Sequence, residues 1–236
     1  MKKILMGSAL AGLVLLAAPT FAQTPSAAIT AAVADASRTE ADKSVDSLRK
    51  PAETIAFAGV KPGDKVMELA PGGGYFTRIF TKLVGANGKI YTVAGRPALP
   101  TTPSVGANVT PVAGTYLEAA IPEPVDVVWT SRNYHDFQNA NPDMGPINRK
   151  MFAALKSGGI YLILDHAAAA DAPDNVTSTL HRAKESVVRS QVEAAGFRFV
   201  GSSNVLANPA DNKGARVQEQ DVRGKTDQFI LKFQKP

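Results

Sequence analysis

Apolar residues along this chain come in short runs separated by glycine- and proline-bearing breaks, and the period within each run distinguishes strands from helices. Lys65 to Ala70 reads as a buried strand, and Pro71-Gly72-Gly73-Gly74 breaks it. Phe76, Ile79, Phe80 and Leu83 then recur at i, i+3, i+4 and i+7, which predicts a helix ending at Gly85. Ile90 to Val93, after the Asn87-Gly88 turn, predicts a second strand and completes a parallel strand–helix–strand unit. Further strands are expected around Val109 to Val112 and at Val125 to Thr130. A helix from Ile147 to Leu155 leads through Gly158-Gly159 into a strand at Ile160 to Asp165. The last helix carries Val187, Val188 and Val192 at helical spacing and stops at Gly196, before a strand around Phe197 to Val200. Asp227 to Phe233 is the final strand, and the long non-helical stretch Ser202 to Arg223 before it predicts an antiparallel pair. Upstream, a helix is expected from Pro51 to Gly59, and the Ala-rich, polar stretch Ser26 to Asp46 is predicted to be partly helical and to wrap the domain. Pro97 to Pro103, rich in proline and threonine, is read as a loop. Alternation of strands and helices implies a parallel sheet in an α/β domain.

The N-terminus changes this picture. Lys2 and Lys3 precede an apolar run from Ile4 to Ala18, followed by Pro19-Thr20-Phe21-Ala22 with small residues where a signal peptidase reads. The run is shorter than the roughly 20 residues that span a bilayer, so residues 1–22 are expected to be a signal peptide cleaved after Ala22, leaving a periplasmic or secreted protein with no membrane anchor. Residues 23–50 then form a helical extension and residues 51–236 one domain. Losing Lys2 and Lys3 brings the formal charge from +5 to +3, and no basic arm is present, which argues against a nucleic-acid partner. The chain has no cysteine, which excludes disulfides, thiolate metal sites and a cysteine nucleophile.

Val66-Met67-Glu68-Leu69-Ala70-Pro71-Gly72-Gly73-Gly74-Tyr75-Phe76-Thr77 resembles the first motif of class I S-adenosylmethionine-dependent methyltransferases, in which a strand ends in an acidic residue followed by Gly-x-Gly-x-Gly. The order of elements, including Leu155-Lys156-Ser157-Gly158-Gly159 before the fifth strand, extends the resemblance over the mature domain. The chain is similar in particular to exported bacterial predicted methyltransferases that share Ala-Pro-Gly-Gly-Gly-Tyr-Phe-Thr and an Arg-Gly-Lys-Thr-Asp-Gln-Phe ending, here Arg223 to Phe229. The resemblance implies a Rossmann-like, mostly parallel seven-stranded sheet with an antiparallel C-terminal strand. It also implies that Glu68 faces the methionine end of bound S-adenosylmethionine and that backbone groups of Ala70, Gly72, Gly73 and Gly74 line that end. Glycines there let the backbone turn sharply and approach a ligand closely.

Three positions depart from the family pattern. Ala70 replaces the usual first glycine, which alanine tolerates at negative φ. Val93-Ala94-Gly95 lacks the Asp or Glu that accepts hydrogen bonds from the ribose hydroxyls, a loss on the order of 1.5–3 kcal/mol per charge-assisted bond. Gly114-Thr115 stands where many relatives have Gly-Asp, so that Thr115 is left to meet the adenine. Weak cofactor binding is the expectation.

Two of the three histidines, His135 and His166, directly follow strand ends, on the side of a parallel sheet where ligands bind. Tyr134-His135-Asp136-Phe137 resembles the His-Asp-Trp segment of small-molecule O-methyltransferases, which implies that His135 takes the proton from an acceptor hydroxyl, with Asp165 and His166 completing the cleft. Imidazole suits that task because its ordinary pKa of about 6.5 keeps it basic near neutrality. Asp136 is expected to cap the following segment, and His181-Arg182 to lie as a solvated pair at a helix start or to close over an acidic substrate. Together these residues predict methyl transfer from S-adenosylmethionine to a small hydroxylated acceptor. Two alternatives stand beside it: zinc or iron held by His135, Asp165, His166 and His181, or a non-catalytic protein that binds another small molecule.

Overall fold

The computed structural model describes residues 23–95 and 106–236; the expected signal peptide and the Pro97 to Pro103 loop lie outside them. Seven strands form one sheet: β1 (Lys65–Leu69), β2 (Lys89–Val93), β3 (Val109–Val112), β4 (Val125–Ser131), β5 (Leu155–His166), β6 (Arg198–Ser203) and β7 (Gln228–Gln234), in the order β3-β2-β1-β4-β5-β7-β6. β1 to β5 are parallel, and β7 inserts antiparallel between β5 and β6. The expected Rossmann-like architecture, with its antiparallel C-terminal strand, is therefore what the chain adopts.

Side-chain alternation along the strands builds the two cores. Val66, Ile90, Val127, Trp129 and Leu162 face helices α4 (Pro51–Ala58) and α5 (Tyr75–Val84). Met67, Leu69, Val128, Tyr161 and Ile163 face the opposite layer, made by α6 (Tyr134–Ala140), α7 (Gly145–Ala154) and α9 (Glu185–Glu193). Both faces are covered, so the central strands read as nearly continuous apolar runs. Trp129 pins α5 to the sheet, with ring centroids 4.7 Å from Phe76 and 5.0 Å from Phe80.

The N-terminal extension folds as α1 (Ala27–Val33), α2 (Glu40–Lys43) and α3 (Asp46–Arg49), the partly helical wrap its composition predicts. Polar links dock it on α5. Arg38, itself buried, pairs with Asp46 at 2.6 Å, Asp46 also accepts from the Tyr75 hydroxyl at 2.5 Å, and Arg78 donates to Asp42 at 2.8 Å.

Three local expectations change. β5 begins at Leu155 rather than Ile160, because Gly158 N–H donates to the Lys235 carbonyl and Lys235 N–H to the Gly159 carbonyl, extending the pairing with the end of the chain. Val187 is 39% exposed, so Val188 and Val192 alone carry the inner face of α9. α6 and α8 (Val176–Leu180) are too short and too polar to show a helical stripe in sequence.

β1 lies between β2 and β4, so the strand order reverses at β1 and β4. In open α/β sheets the ligand crevice opens at such a point, outside the carboxyl ends of the strands.

Candidate functional site

The glycine loop follows β1 at that reversal. Ala70 N–H donates to the Val93 carbonyl, and Gly74 N–H to the Pro71 carbonyl, closing a tight turn into α5. Ala70 has φ +48°, not the negative value at which alanine is comfortable, so the backbone is left-handed here at a steric cost of roughly 1–2 kcal/mol. Gly72 and Gly73 face open space: a Cβ on either would meet no atom within 4 Å. A ligand at this end therefore approaches bare backbone.

Glu68 does not point into the crevice. Alternation on β1 sends it to the α5 side, where it is buried and accepts a 2.5 Å hydrogen bond from the Thr77 hydroxyl. Burial pushes its carboxyl up to about 7, against the Thr77 bond and the charge of Arg78. One carboxylate oxygen of the residue expected to face a ligand's ammonium group is thus engaged by Thr77.

At the end of β2 the ring of Tyr116 rests against Gly95, where a Cβ would come within 2.4 Å of it; Gly95 has φ +70°. The Tyr116 hydroxyl donates to the Ala94 carbonyl at 3.3 Å, and its ring lies 4.4 Å from that of Phe137. Thr115 is engaged locally: its hydroxyl accepts from Glu118 N–H, and its own N–H donates to the Glu118 carboxylate. That reciprocal pair, formed across a turn as in a capping box, engages the side chain expected to meet an adenine.

On the far side of β1, the ends of β4 and β5 meet α6. Asp165, with no exposure, accepts from His135 N–H at 2.8 Å, from the His135 ring at Nδ1 at 2.8 Å and from His166 N–H at 2.7 Å. It thereby caps α6, whose own first residues supply no side-chain cap. With Asp165 accepting at Nδ1, the lone pair of neutral His135 is on Nε2, which lies 3.4 Å from Asp136 Oδ1. Burial alone pulls the His135 ring down, and the Asp165 carboxylate, helped by Asp136, outweighs it and holds the ring above ordinary histidine. Burial pushes Asp165 up, and the charge and hydrogen bond of His135 hold it below the usual carboxylate range.

His166 has a different part. Its Nδ1 is 2.7 Å from the Thr226 hydroxyl, and burial lowers its pKa to about 4, so it is neutral near pH 7. Arg182 is not at a solvated helix start: it is wholly buried, paired with Asp211 at 2.7 Å and donating to the Ala167 and Ala215 carbonyls. Its neighbour His181 ends α8 in the left-handed region, near the exposed Asp136.

Donor atoms of His135, Asp136 and His181 lie within 4.8 Å of one another. This differs from the metal set expected from sequence, since Asp165 and His166 are committed elsewhere. The Arg216 guanidinium donates to His181 Nε2 at 2.7 Å, leaving the ring proton on Nδ1, the atom that a metal would need free. Among the described residues no backbone N–H donates to the Asp136 carboxylate, so it does not act there as the expected cap.

Between the extension and the glycine loop lies a cavity of about 460 Å³, whose lining includes Arg49, Ala70, Gly72, Gly73, Arg132 and Asn133. Asn133 ties its walls together, donating to the Ala70 and Ser131 carbonyls. Arg132 and Asn133 line the cavity beside the loop, whereas His135, in the first turn of α6, is not part of its lining.

The raised Glu68 pKa gives a sign to test. Below the unfolded-state value of about 4.3 both states hold the proton. As pH rises from there to about 7 the unfolded chain releases it first, so this group lowers stability across that window. Glu68→Gln, which keeps an acceptor for Thr77, should therefore gain stability over the wild type progressively from pH 4.5 to 7.5. Urea unfolding at a series of pH values measures this, and a constant difference would contradict a buried, proton-holding Glu68.

No family model matches the chain. It is 30% identical over 173 residues to the ubiquinone/menaquinone biosynthesis C-methyltransferase UbiE of Cronobacter sakazakii, a match spanning 64% of this chain and 62% of that relative. Among solved structures it resembles a SAM-dependent methyltransferase from Aquifex aeolicus, with TM-score 0.56 and 18% identity over 80% of this chain and 92% of that one. The [4+2]-cyclase SpnF superposes with TM-score 0.56 and 13% identity over 93% and 98% of the two chains. The mitomycin 7-O-methyltransferase MmcR does so with TM-score 0.55 and 16% identity over 82% and 54%. A cyclase among these neighbours shows that the scaffold alone does not fix the reaction. The strand order, the glycine loop after β1 and these likenesses agree that the chain has the fold of the class I S-adenosylmethionine-dependent methyltransferases.

Proposed function

We propose that this protein, exported after cleavage at Ala22, transfers a methyl group from S-adenosylmethionine to a small hydroxylated acceptor, with His135 as general base. The observation that carries the reading is the pairing of Asp165 with His135 at the carboxyl ends of β4 and β5, one strand away from the glycine loop after β1. The loop end of the crevice fits an amino-acid chain, because Gly72 and Gly73 present open backbone. The nucleoside end offers the Tyr116 ring and backbone in place of a carboxylate, which supports weak binding. Bound there, S-adenosylmethionine would supply an electrophilic methyl group on a sulfonium centre.

The chain's own residues supply the proton chemistry. Asp165 holds the Nδ1 proton of His135, so that Nε2 is the atom that accepts the acceptor's proton, and the buried carboxylate stabilises the imidazolium that results. C-methyl transfer, the activity in the bacterial relative's name, needs the same step when the acceptor is a phenol, since removing the hydroxyl proton makes both the oxygen and the adjacent ring carbon nucleophilic.

Three experiments test this reading. Intact mass of the protein from a periplasmic extract should begin at Gln23; a full-length, membrane-bound product contradicts export. Calorimetric titration should show S-adenosylmethionine binding that Gly73→Val abolishes without unfolding, because the added side chain would enter open space. His135→Ala should lower turnover of a phenolic acceptor about 10²–10⁴-fold with cofactor affinity unchanged. In the wild type the rate should rise with pH through an inflection above 6.5, following the raised His135 pKa. Wild-type turnover in His135→Ala would contradict the base assignment.

A further inference from the structure

The cavity between the N-terminal extension and the glycine loop has an unbalanced charge. Asp42 in its lining is spent on Arg78, and Asp46 behind it on Arg38 and Tyr75. Two guanidiniums in the lining, those of Arg49 and Arg132, have no ion pair or hydrogen bond among the described residues. Arg49 lies over the Tyr75 ring at 4.3 Å, a stacking contact that orients its plane without neutralising it. Asp165 does not hold Arg132, because its oxygens are committed to His135 and His166.

The backbone at Arg132 points the same way. Its φ of +61° puts a long, non-glycine side chain in the left-handed region, between the end of β4 and the start of α6. Such strain costs on the order of 1–3 kcal/mol and clusters at functional sites. Burial, and then the charge of Arg49, pulls Arg132 down to about 10, against the attraction of Asp165; it remains charged at neutral pH in an environment short of anions.

We infer that Arg49 and Arg132 form the recognition site for an acidic group, a carboxylate or phosphate, on the methyl acceptor, so that the substrate of this protein is an anion. The inference rests on the methyl-transfer reading for the role of the ligand, and on the cavity alone for its charge. Planar guanidinium forks match carboxylate and phosphate oxygens bidentately. S-adenosylmethionine, whose amino-acid end the Gly72 and Gly73 backbone of this same cavity would take, carries a sulfonium, an ammonium and one carboxylate; its net charge is positive, so its presence leaves the two arginines unbalanced. An anionic acceptor balances them, and Arg132, between this cavity and Asp165, would hold it beside the His135 end of the site.

The test uses the mature protein, with succinate and inorganic phosphate as anions and S-adenosylhomocysteine as the cofactor probe, titrated calorimetrically at fixed salt. The wild type should bind a dianion saturably, and Arg49→Gln and Arg132→Gln should each weaken that binding at least tenfold while changing S-adenosylhomocysteine affinity less than threefold. Arg132→Lys, which keeps the charge and loses the fork, should fall between wild type and glutamine, a graded response that holds even if Arg132→Gln folds poorly. No anion binding by the wild type, or equal binding by all variants, overturns the inference. A tenfold loss of S-adenosylhomocysteine with the dianion unaffected also overturns it, since the arginines would then serve the cofactor's carboxylate. Anion binding that needs both arginines, in a protein that ignores S-adenosylhomocysteine, would sink the methyl-transfer reading and leave the anion site standing.

Discussion

The hydrogen bonds of one buried carboxylate organise the site. Asp165 ends β5 with no solvent contact, where an unpaired charge would cost several kcal/mol. It is stable because two backbone N–H groups and one imidazole point at it, and those donors fix the backbone of His135 and His166 and the ring of His135. The helix that follows β4 thus starts where the neighbouring strand ends, and the histidine's orientation is a consequence of sheet register. β4 and β5 pair through Ser131 and Leu164, which brings the two strand ends level.

Around that pair, chain order does the rest. Reversal of strand order at β1 and β4 leaves the glycine loop and the β4–α6 turn side by side, and Asn133 bonds across the gap to Ala70. The N-terminal extension closes the third wall. Its Asp46 is consumed by its own Arg38 and by Tyr75 of α5, and its Asp42 by Arg78 of α5, so what it presents to the cavity is the cation of Arg49. The same contacts that hold the extension in place give the cavity its sign.

Most of this fold is legible in the sequence, because the central strands are apolar runs bounded by glycine and proline and α5 carries an unbroken i, i+3, i+4, i+7 stripe. The site is less so. Glu68, Ala70 and the glycines were found by motif, yet only the pleat of β1 shows that Glu68 turns toward Thr77, and only the backbone shows that Ala70 is left-handed. Arg182 looked solvent-facing because its partner, Asp211, lies in a non-helical stretch with no periodic signal. Arg49 and Arg132 give no local signal: their importance lies in the commitment of the nearby acids Asp42, Asp46 and Asp165 to other partners, a property of tertiary packing. The one available hint was Arg132 between a strand end and Asn133, where a turn residue would be expected.

The central claim is that Asp165 fixes His135 with its proton on Nδ1 and its basic lone pair on Nε2. Nitrogen-15 NMR of histidine-labelled protein reads this directly. The account predicts a His135 Nδ1–H tautomer with a downfield, hydrogen-bonded proton and a titration midpoint above 6.5, both lost in Asp165→Asn. An Nε2–H tautomer, or a midpoint at or below that of free histidine, would contradict it.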